Sequence, residues 1–252
     1  MKKFPIIILV SSCALLIQSC QIMYTPNMQN VPLFKEKNEL RATLALNNYQ
    51  AAYAVTDNIG VMLNGQYKFP SWSSTEDNIE YNYKSKKMLI EGGAGYFMPL
   101  EKLGVLEVYG GGGFGKLTFN DSYSDTTGGS STTYDRYSAN TIRFFIQPSI
   151  GISSNDLDLA FSTRIVGLKF MNIDTSGYTQ TDLIENDISQ LNKPLYMFLE
   201  PAITLRFGWK YVKFHVQAIA SAKLNSEPLN YSPFSVNMGV HIDIAPRYLK
   251  KK

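Results

Sequence analysis

From Glu39 onward, apolar residues alternate with polar or small residues along most of the chain. A period of two is typical of β-strands that bury one face. The alternation predicts ten strands, at 39–47, 49–56, 59–69, 87–98, 105–119, 141–152, 157–171, 196–207, 211–224 and 235–244. Most are longer than the usual strand of about 5–6 residues, and they match the ~9–11 residues that a tilted membrane strand needs.

The connections between these segments alternate in length. Short turns are predicted at 56–58, 99–104, 153–156 and 208–210, and long polar loops at 70–86, 120–140, 172–195 and 225–234. Short turns at one end and long loops at the other are typical of antiparallel outer-membrane barrels. The sequence therefore predicts an all-β fold: a closed, up-and-down, membrane-spanning barrel of about ten strands over 39–246. An even strand number places both chain ends at the short-turn end.

Alternation alone does not say which face of the barrel points outward. A soluble barrel would hide its apolar face around an apolar ligand, whereas a membrane barrel shows that face to lipid. The polar face here mixes small residues with charges of both signs, which can pair with one another in a polar lumen. We therefore favour the membrane barrel over a periplasmic carrier. The predicted lumen network comprises Arg41, Glu91, Glu107, Arg143, Arg164, Glu200, Arg206, His215, His241 and Asp243.

Composition and charge narrow the function. The formal net charge of the 252 residues is +3, and outside the last few residues no basic stripe is present, so no nucleic-acid partner is expected. The two cysteines, Cys13 and Cys20, both lie near the N-terminus, which excludes a disulfide framework and a cysteine-rich metal site.

The first twenty residues have the pattern of a targeting signal. Lys2 and Lys3 precede a mostly apolar run over 4–17. Ser19-Cys20 then resembles the cleavage box of bacterial lipoproteins. That resemblance implies removal of 1–19, lipidation of Cys20, and a lipid-anchored periplasmic tether at 20–38. An ordinary signal peptide with an incidental Cys20 is the alternative. Residues 247–252 are predicted to be a basic tail.

Candidate chemistry is sparse. His215 and His241 are expected to lie near each other and near Asp243. A metal site requires further ligands, and a hydrolase requires a nucleophile within reach of the histidine. Glycines 110–113 lie within a strand pattern and lack the Lys-Ser/Thr of a phosphate loop. We therefore expect no metal, no cofactor and no enzymatic activity. A lipid-modifying enzyme and a narrow pore stay as weaker hypotheses.

The long loops are rich in Tyr, Ser, Gly and Asn, a composition that suits adaptable binding surfaces. They suggest contact with an extracellular ligand or protein, in addition to outer-membrane lipid. The expected contact residues are Trp72, Tyr81, Tyr83, Tyr123, Tyr134 and Tyr137.

Several short stretches resemble one family. Tyr24-Thr25-Pro26, residues 30–34, Ala51-Ala52-Tyr53 and residues 56–60 resemble the small outer-membrane β-barrel proteins with a lipoprotein signal of the Bacteroidota type. This resemblance implies a structural or surface-interaction role in the outer membrane. The chain departs from many such barrels at its C-terminus, where Tyr248 is followed by Leu249 and three lysines rather than ending on an aromatic residue.

Overall fold

The structure is a computed structural model that describes residues 22–76, 79–100, 103–125, 132–176, 188 and 191–249. Of residues 72, 74, 76, 81, 123, 125 and 132–135 only the backbone is described. The predicted signal at 1–19 and its Cys20 lie outside the described residues.

Almost all of the described chain is β-strand, and one short helix follows. The strands are β1 (Leu40–Ala45), β2 (Asn48–Ala54), β3 (Ile59–Lys68), β4 (Ser71–Glu76), β5 (Ile79–Pro99), β6 (Gly104–Asp125), β7 (Thr132–Ser153), β8 (Leu157–Ser176), β9 (Tyr196–Gly208), β10 (Val212–Ala220), β11 (Ala222–Lys223) and β12 (Phe234–Ile244). The helix α1 covers Pro246–Leu249. Within the described part of the chain, no helix is both long and apolar enough to cross a membrane.

Ten of these strands close into an antiparallel barrel. In the described chain the ring runs β1-β2-β3-β5-β6-β7-β8-β9-β10-β12 and returns to β1. Strand β4 pairs only with residues 79–84 of β5, and β11 continues the pairing of β9 beyond β10. The ring confirms the predicted ten-strand closed barrel, in which each ring strand pairs with two neighbours. We call the end with the turns after β2, β5, β7 and β9 the short-turn end, and the opposite end the long-loop end.

The apolar side chains of the wall point outward. Large apolar residues are exposed on every strand of the ring, among them Leu63, Ile90, Phe114, Ile146 and Ile203. The charged and amide side chains at the alternating positions are buried inside. A soluble ligand carrier would have the opposite arrangement. The exposed apolar belt with a polar interior is the surface of a membrane-spanning barrel.

Four adjacent strands continue far beyond the belt. Strands β5 to β8 have 20 to 22 residues each, about twice what a membrane crossing takes. They therefore include much of the sequence that was predicted as long loops at 70–86 and 120–140. The prediction failed there because polar residues on both faces hide the period of two once a strand leaves the lipid, while backbone pairing continues.

This extension corrects one predicted loop residue. Tyr137 lies on β7 and is fully buried inside the barrel against Phe119, not on the outer surface. Tyr83 lies on β5 and is half-buried. The side chains of Trp72, Tyr81, Tyr123 and Tyr134 are outside the described atoms, although their backbones belong to β4, β5, β6 and β7.

Glycines on the inner face make room for large side chains. A Cβ at Gly111 would stand 2.8 Å from the ring of Phe145, and one at Gly93 would stand 3.2 Å from it. The ring in turn lies 4.4 Å from the guanidinium carbon of Arg164. The glycine-rich stretch of β6 is thus a packing feature of a narrow barrel, not a phosphate loop.

The exposed belt predicts a depth-dependent cost for charge. Ile146 lies near the middle of the outward face of β7 and is 60% exposed. Ile146→Lys should lower the free energy of unfolding in lipid vesicles by about 2–4 kcal/mol, since the ammonium would face hydrocarbon. Ser124→Lys on β6, well above the belt, is the matched control and should cost little. Equal costs, measured by urea titration, would contradict the membrane assignment.

Candidate functional site

The barrel interior is occupied by the chain's own N-terminal residues. We call residues 22–38 the lumen segment. From Met23 to Phe34 it is buried, with Thr25 partly so. The sequence predicted a tether outside the barrel here, and the structure differs. The stretch 21–34 carries no charge and contains Met, Val, Leu and Phe, so it enters a lumen that already balances its own charges.

The segment begins at the long-loop end. The amide of Met23 donates to the carbonyl of Asn230 at 2.8 Å, and Tyr24 forms a parallel bridge with Tyr231. Both partners lie in the loop before β12. Lys87 on β5 donates to the carbonyl of Ile22. These contacts hold the first described residues at the upper rim.

At mid-height, side chains of the wall bind the segment's backbone. Gln217 accepts from the amide of Gln29 at 2.7 Å and donates to its carbonyl at 2.8 Å. Gln147 donates to the carbonyl of Asn30 at 2.7 Å, and Gln50 donates to that of Met28 at 2.8 Å. A buried backbone group without a hydrogen-bond partner is costly. These glutamines therefore take the place of the interstrand backbone hydrogen bonds that the segment lacks.

The segment's own amides bind back to the wall. The Gln29 side chain donates to the carbonyl of Glu200 at 2.6 Å and accepts from Ser162 at 2.7 Å. The Asn30 side chain donates to Asn64 at 2.8 Å and to the carbonyl of Ala51 at 3.2 Å. The two residues therefore join the segment to opposite parts of the ring.

The segment leaves the lumen at the short-turn end. Glu107 accepts from the amide of Phe34 at 3.2 Å, and the Lys35 ammonium donates to the carbonyl of Ser153 at 2.5 Å. Asn38, at a φ of 64°, then turns the chain back into β1. The described N-terminal residues and the C-terminal helix therefore lie at opposite ends of the barrel. The expectation that both chain ends lie at the short-turn end fails for the described residues, because strand parity says nothing about a segment that passes through the lumen.

An ionic cluster crosses the middle of the lumen. Glu91 pairs with Arg164 at 3.0 Å and with Arg143 at 3.7 Å, and Arg143 pairs with Glu200 at 3.3 Å. The phenol of Tyr24 donates to Glu200, which ties the lumen segment into the cluster. All four charged side chains are at most 2% exposed. Each acid accepts from several donors, which is what a buried charge requires.

A second ionic cluster closes the short-turn end. Arg41 pairs with Glu39 at 3.0 Å and with Asp243 at 3.4 Å. Asp158 pairs with Lys213 at 2.7 Å and with Arg206 at 3.8 Å. Arg206 also donates to the carbonyl of Val31 at 2.8 Å, so this cluster too binds the lumen segment.

The residues after β12 belong to this closure and are not a free tail up to Leu249. Arg247 pairs with Glu39 and, through its amide, binds Glu36 at 2.6 Å. The Tyr248 phenol donates to Asp243 at 3.0 Å. Burial, helped by the charge of Asp243, raises the pKa of Tyr248 to about 12, so the phenol stays a donor at neutral pH.

The two histidines do not face each other as the sequence predicted. His215 pairs across the sheet with Gly239, and His241 pairs with Lys213. The prediction placed the centre of the hairpin a residue or more too far along the chain. His215 Nδ1 accepts from Arg206 at 3.1 Å, and His241 Nδ1 lies 2.9 Å from the hydroxyl of Thr43.

All ten predicted lumen residues are buried inside. Seven belong to the two clusters, Glu107 binds the lumen segment, and the two histidines bind Arg206 and Thr43 of the wall. Among the described residues, no three His, Cys, Asp or Glu side chains are grouped so that they could hold a metal ion. Sequence reasoning missed the amide side chains, on the segment and on the wall, that join the two. They are Asn27, Gln29, Asn30, Gln50, Asn64, Gln66, Gln147 and Gln217. Their signal was the repeated Gln and Asn at inward positions, where a charge-paired lumen alone would not need them.

Little space is left beside the segment. A cavity of about 50 Å³ lies near the long-loop end, lined by Met23, Gln66, Lys87 and Arg143 among others. A small-molecule site usually has about 300 Å³ or more. This cavity fits a few water molecules.

Comparisons with known proteins found solved structures of low similarity. No family model matches the chain, and no curated protein does. The crystal structure of the outer membrane protease OmpT from Escherichia coli matches at a TM-score of 0.48 and 9% identity, covering 82% of this chain and 92% of that one. CarO2 of Acinetobacter baumannii matches at a TM-score of 0.35 and 10% identity, covering 82% and 99%. At such identities no activity carries over, and the barrel assignment depends on this chain's own strand order and surface.

The central cluster predicts strong coupling between its members. Glu91→Leu should cost about 3–5 kcal/mol of unfolding free energy, because two buried guanidiniums lose an acid. Adding Arg164→Leu removes one of those charges, so the double variant should cost less than the sum of the single variants by about 1 kcal/mol or more. Lys169→Leu, an exposed cation on β8, is the control. Additive costs in urea titrations of the folded barrel would refute the pairing.

The position of the lumen segment is directly testable by cross-linking. Asn30→Cys with Asn64→Cys, in a Cys20→Ser background, should react with a short bifunctional thiol reagent, since the two amides are in contact at 2.8 Å. The reagent then bridges the two introduced thiols, and mass spectrometry of the digested protein distinguishes this bridge from two thiols that are each capped by a separate reagent molecule. Asn30→Cys with Asn120→Cys, which lies on the outer face of β6, should give at most singly capped thiols and no bridge. Similar reactivity of the two pairs would show that the segment is not in the lumen.

Proposed function

We propose that this protein is a lipid-anchored outer-membrane barrel with a closed lumen, and that its role is structural or interactive rather than transport. The observation that carries this proposal is the occupied lumen. Residues 23–34 fill the passage at every height, and both ionic clusters bind them. A solute would have to displace a segment whose backbone is bound by the wall.

The same occupancy argues against the carrier hypothesis and against a wide pore. The interior is packed with charged, amide and apolar side chains, among them Phe119, Phe170 and Phe198, and the cavity beside the segment has a volume of about 50 Å³. Barrels near eight strands are filled by side chains, while open channels need about sixteen. A ten-strand ring has room for one peptide, and this chain supplies that peptide itself.

The features left for an interaction are the extended strands at the long-loop end. Strands β5 to β8 stand well beyond the belt; at that end residues 126–131 connect β6 to β7, and residues 177–195 connect β8 to β9. Their Tyr, Ser and Asn content suits contact with an extracellular ligand or protein. The lipid anchor of the proposal is Cys20, on the strength of Lys2, Lys3, the apolar run and Ser19 before it.

Bilayer conductance tests the closed lumen. The intact protein should show no steady open state. The double variant Gln29→Ala, Asn30→Ala loses four side-chain hydrogen bonds between segment and wall. At about 1 kcal/mol each, this should raise the fraction of time that ions pass by on the order of a hundredfold or more.

Lys37→Ala supplies the control, because Lys37 is exposed at the end of the segment and its side chain lies outside the lumen. It should leave the bilayer silent. Large steady channels from the unaltered protein would overturn the proposal, as would a double variant that folds and stays silent.

A further inference from the structure

We propose that the lumen segment carries the protein's N-terminal end out on the long-loop side, so that the lipid on Cys20 enters the membrane leaflet on that side. The lipid part of this inference depends on the proposed lipoprotein nature, whereas the direction of the chain does not. The sequence alone indicated the opposite, a lipid below the barrel on the short-turn side.

Three sets of contacts at different heights fix the direction of the chain. Met23 and Tyr24 bind the loop before β12 at the long-loop end. Gln29 and Asn30 bind the middle of the ring through Gln217, Asn64 and their neighbours. Lys35 binds the carbonyl of Ser153 at the short-turn end. The chain therefore descends the lumen from residue 22 to residue 35 and then turns upward into β1.

The reach of the chain limits the side on which a lipid on Cys20 can enter the membrane. Two residues separate Cys20 from Ile22, and two extended residues span at most about 7 Å. The short-turn end is separated from Ile22 by the whole buried length of the segment, which fills the passage behind it. A residue two positions before Ile22 therefore has only the long-loop side available.

The height of Ile22 suits a lipid anchor. Its carbonyl accepts from Lys87, and the next residue on β5 is Met88, an exposed apolar residue. Met88 is the last large apolar residue of the β5 outer face before Lys86, which points outward above it. Ile22, itself 44% exposed, thus lies near the level at which the belt meets lipid headgroups. An acyl chain attached close to it would not need a long linker to enter that leaflet.

The rim is also low on one side. Strands β1 and β2 are joined by a tight turn at residues 46 and 47, where Leu46 is 91% exposed. Strand β3 ends at Lys68, level with Lys87, and β4 continues the wall above it against β5, so the low part of the rim is at β1 and β2. The extended strands β5 to β8 form a high wall on the other side. A lipidated N-terminus can pass over the low rim without crossing the high wall.

Epitope tags test the direction. One tag is inserted between Gln21 and Ile22, a second within residues 126–131, and a third after Lys252, each in the full-length protein. We expect antibody on intact cells to bind the first and second tags alike, and the third only after the outer membrane is opened. Tagged proteins are scored only if the barrel still resists unfolding in cold detergent on a gel. An N-terminal tag that, like the C-terminal tag, binds antibody only after the outer membrane is opened would overturn the inference.

Labelling with a radioactive fatty acid separates the two proposals. Incorporation that is lost in Cys20→Ser, together with an N-terminal tag that sides with the 126–131 tag, supports both. An N-terminal tag on that side without incorporation keeps the threaded direction and refutes the lipid anchor. Incorporation with an N-terminal tag on the C-terminal side keeps the lipoprotein and refutes the direction. The Asn30→Cys, Asn64→Cys cross-link, made in each tagged protein, shows whether the tag has displaced the segment from the lumen. Loss of the cross-link in a tagged barrel that is still folded and does not conduct counts against stable threading.

Discussion

The structure depends on one constraint: a non-strand peptide inside a membrane barrel must have partners for its backbone groups. The backbone amides and carbonyls of the wall strands mostly bind one another and form no strand ladder with the segment. Side chains supply these partners instead, and Gln50, Gln147, Gln217 and Arg206 take this role. Each has a long side chain with donors at its tip, so it reaches from the wall to the centre of the lumen. The amides of Gln29 and Asn30 complete the network from the other side.

The charges of the lumen follow from the same constraint. Buried ions are tolerated best where each is paired and hydrogen-bonded. In both clusters an acid is shared between two cations, while single atoms such as Glu91 Oε2 and Arg206 Nη1 have no hydrogen bond. A charged lumen segment would upset this balance, and residues 21–34 have no charge. The glycines of β5 and β6 serve the same crowded interior, since Gly93 and Gly111 leave the space into which the ring of Phe145 packs beneath Arg164.

The sequence was informative about the wall and much less so about what the wall encloses. The ten alternating segments and the outward apolar face are confirmed because lipid imposes a strict period of two on every strand that crosses it. The extended upper strands were predicted as loops, since both of their faces are polar. The lumen segment was predicted as a tether because Pro26, Pro32 and several Asn are typical of exposed linkers, and no periodicity marks a chain that binds through amides. The two histidines were misplaced because hairpin register depends on the position of the turn, which the 225–234 loop does not reveal.

A segment bound at every height of a closed ring also constrains how the protein can assemble. Threading residues 22–34 through a finished ten-strand barrel would require its ionic clusters to open, because both of them contact the segment. Closing the ring around the segment needs no such opening. The segment precedes β1 in the chain and turns into it at Asn38, while the ring is closed by the pairing of β1 with β12, the last strand. Chain order therefore favours a route in which the segment is in place before the barrel closes, and the amides of the lumen form their bonds as the wall comes together.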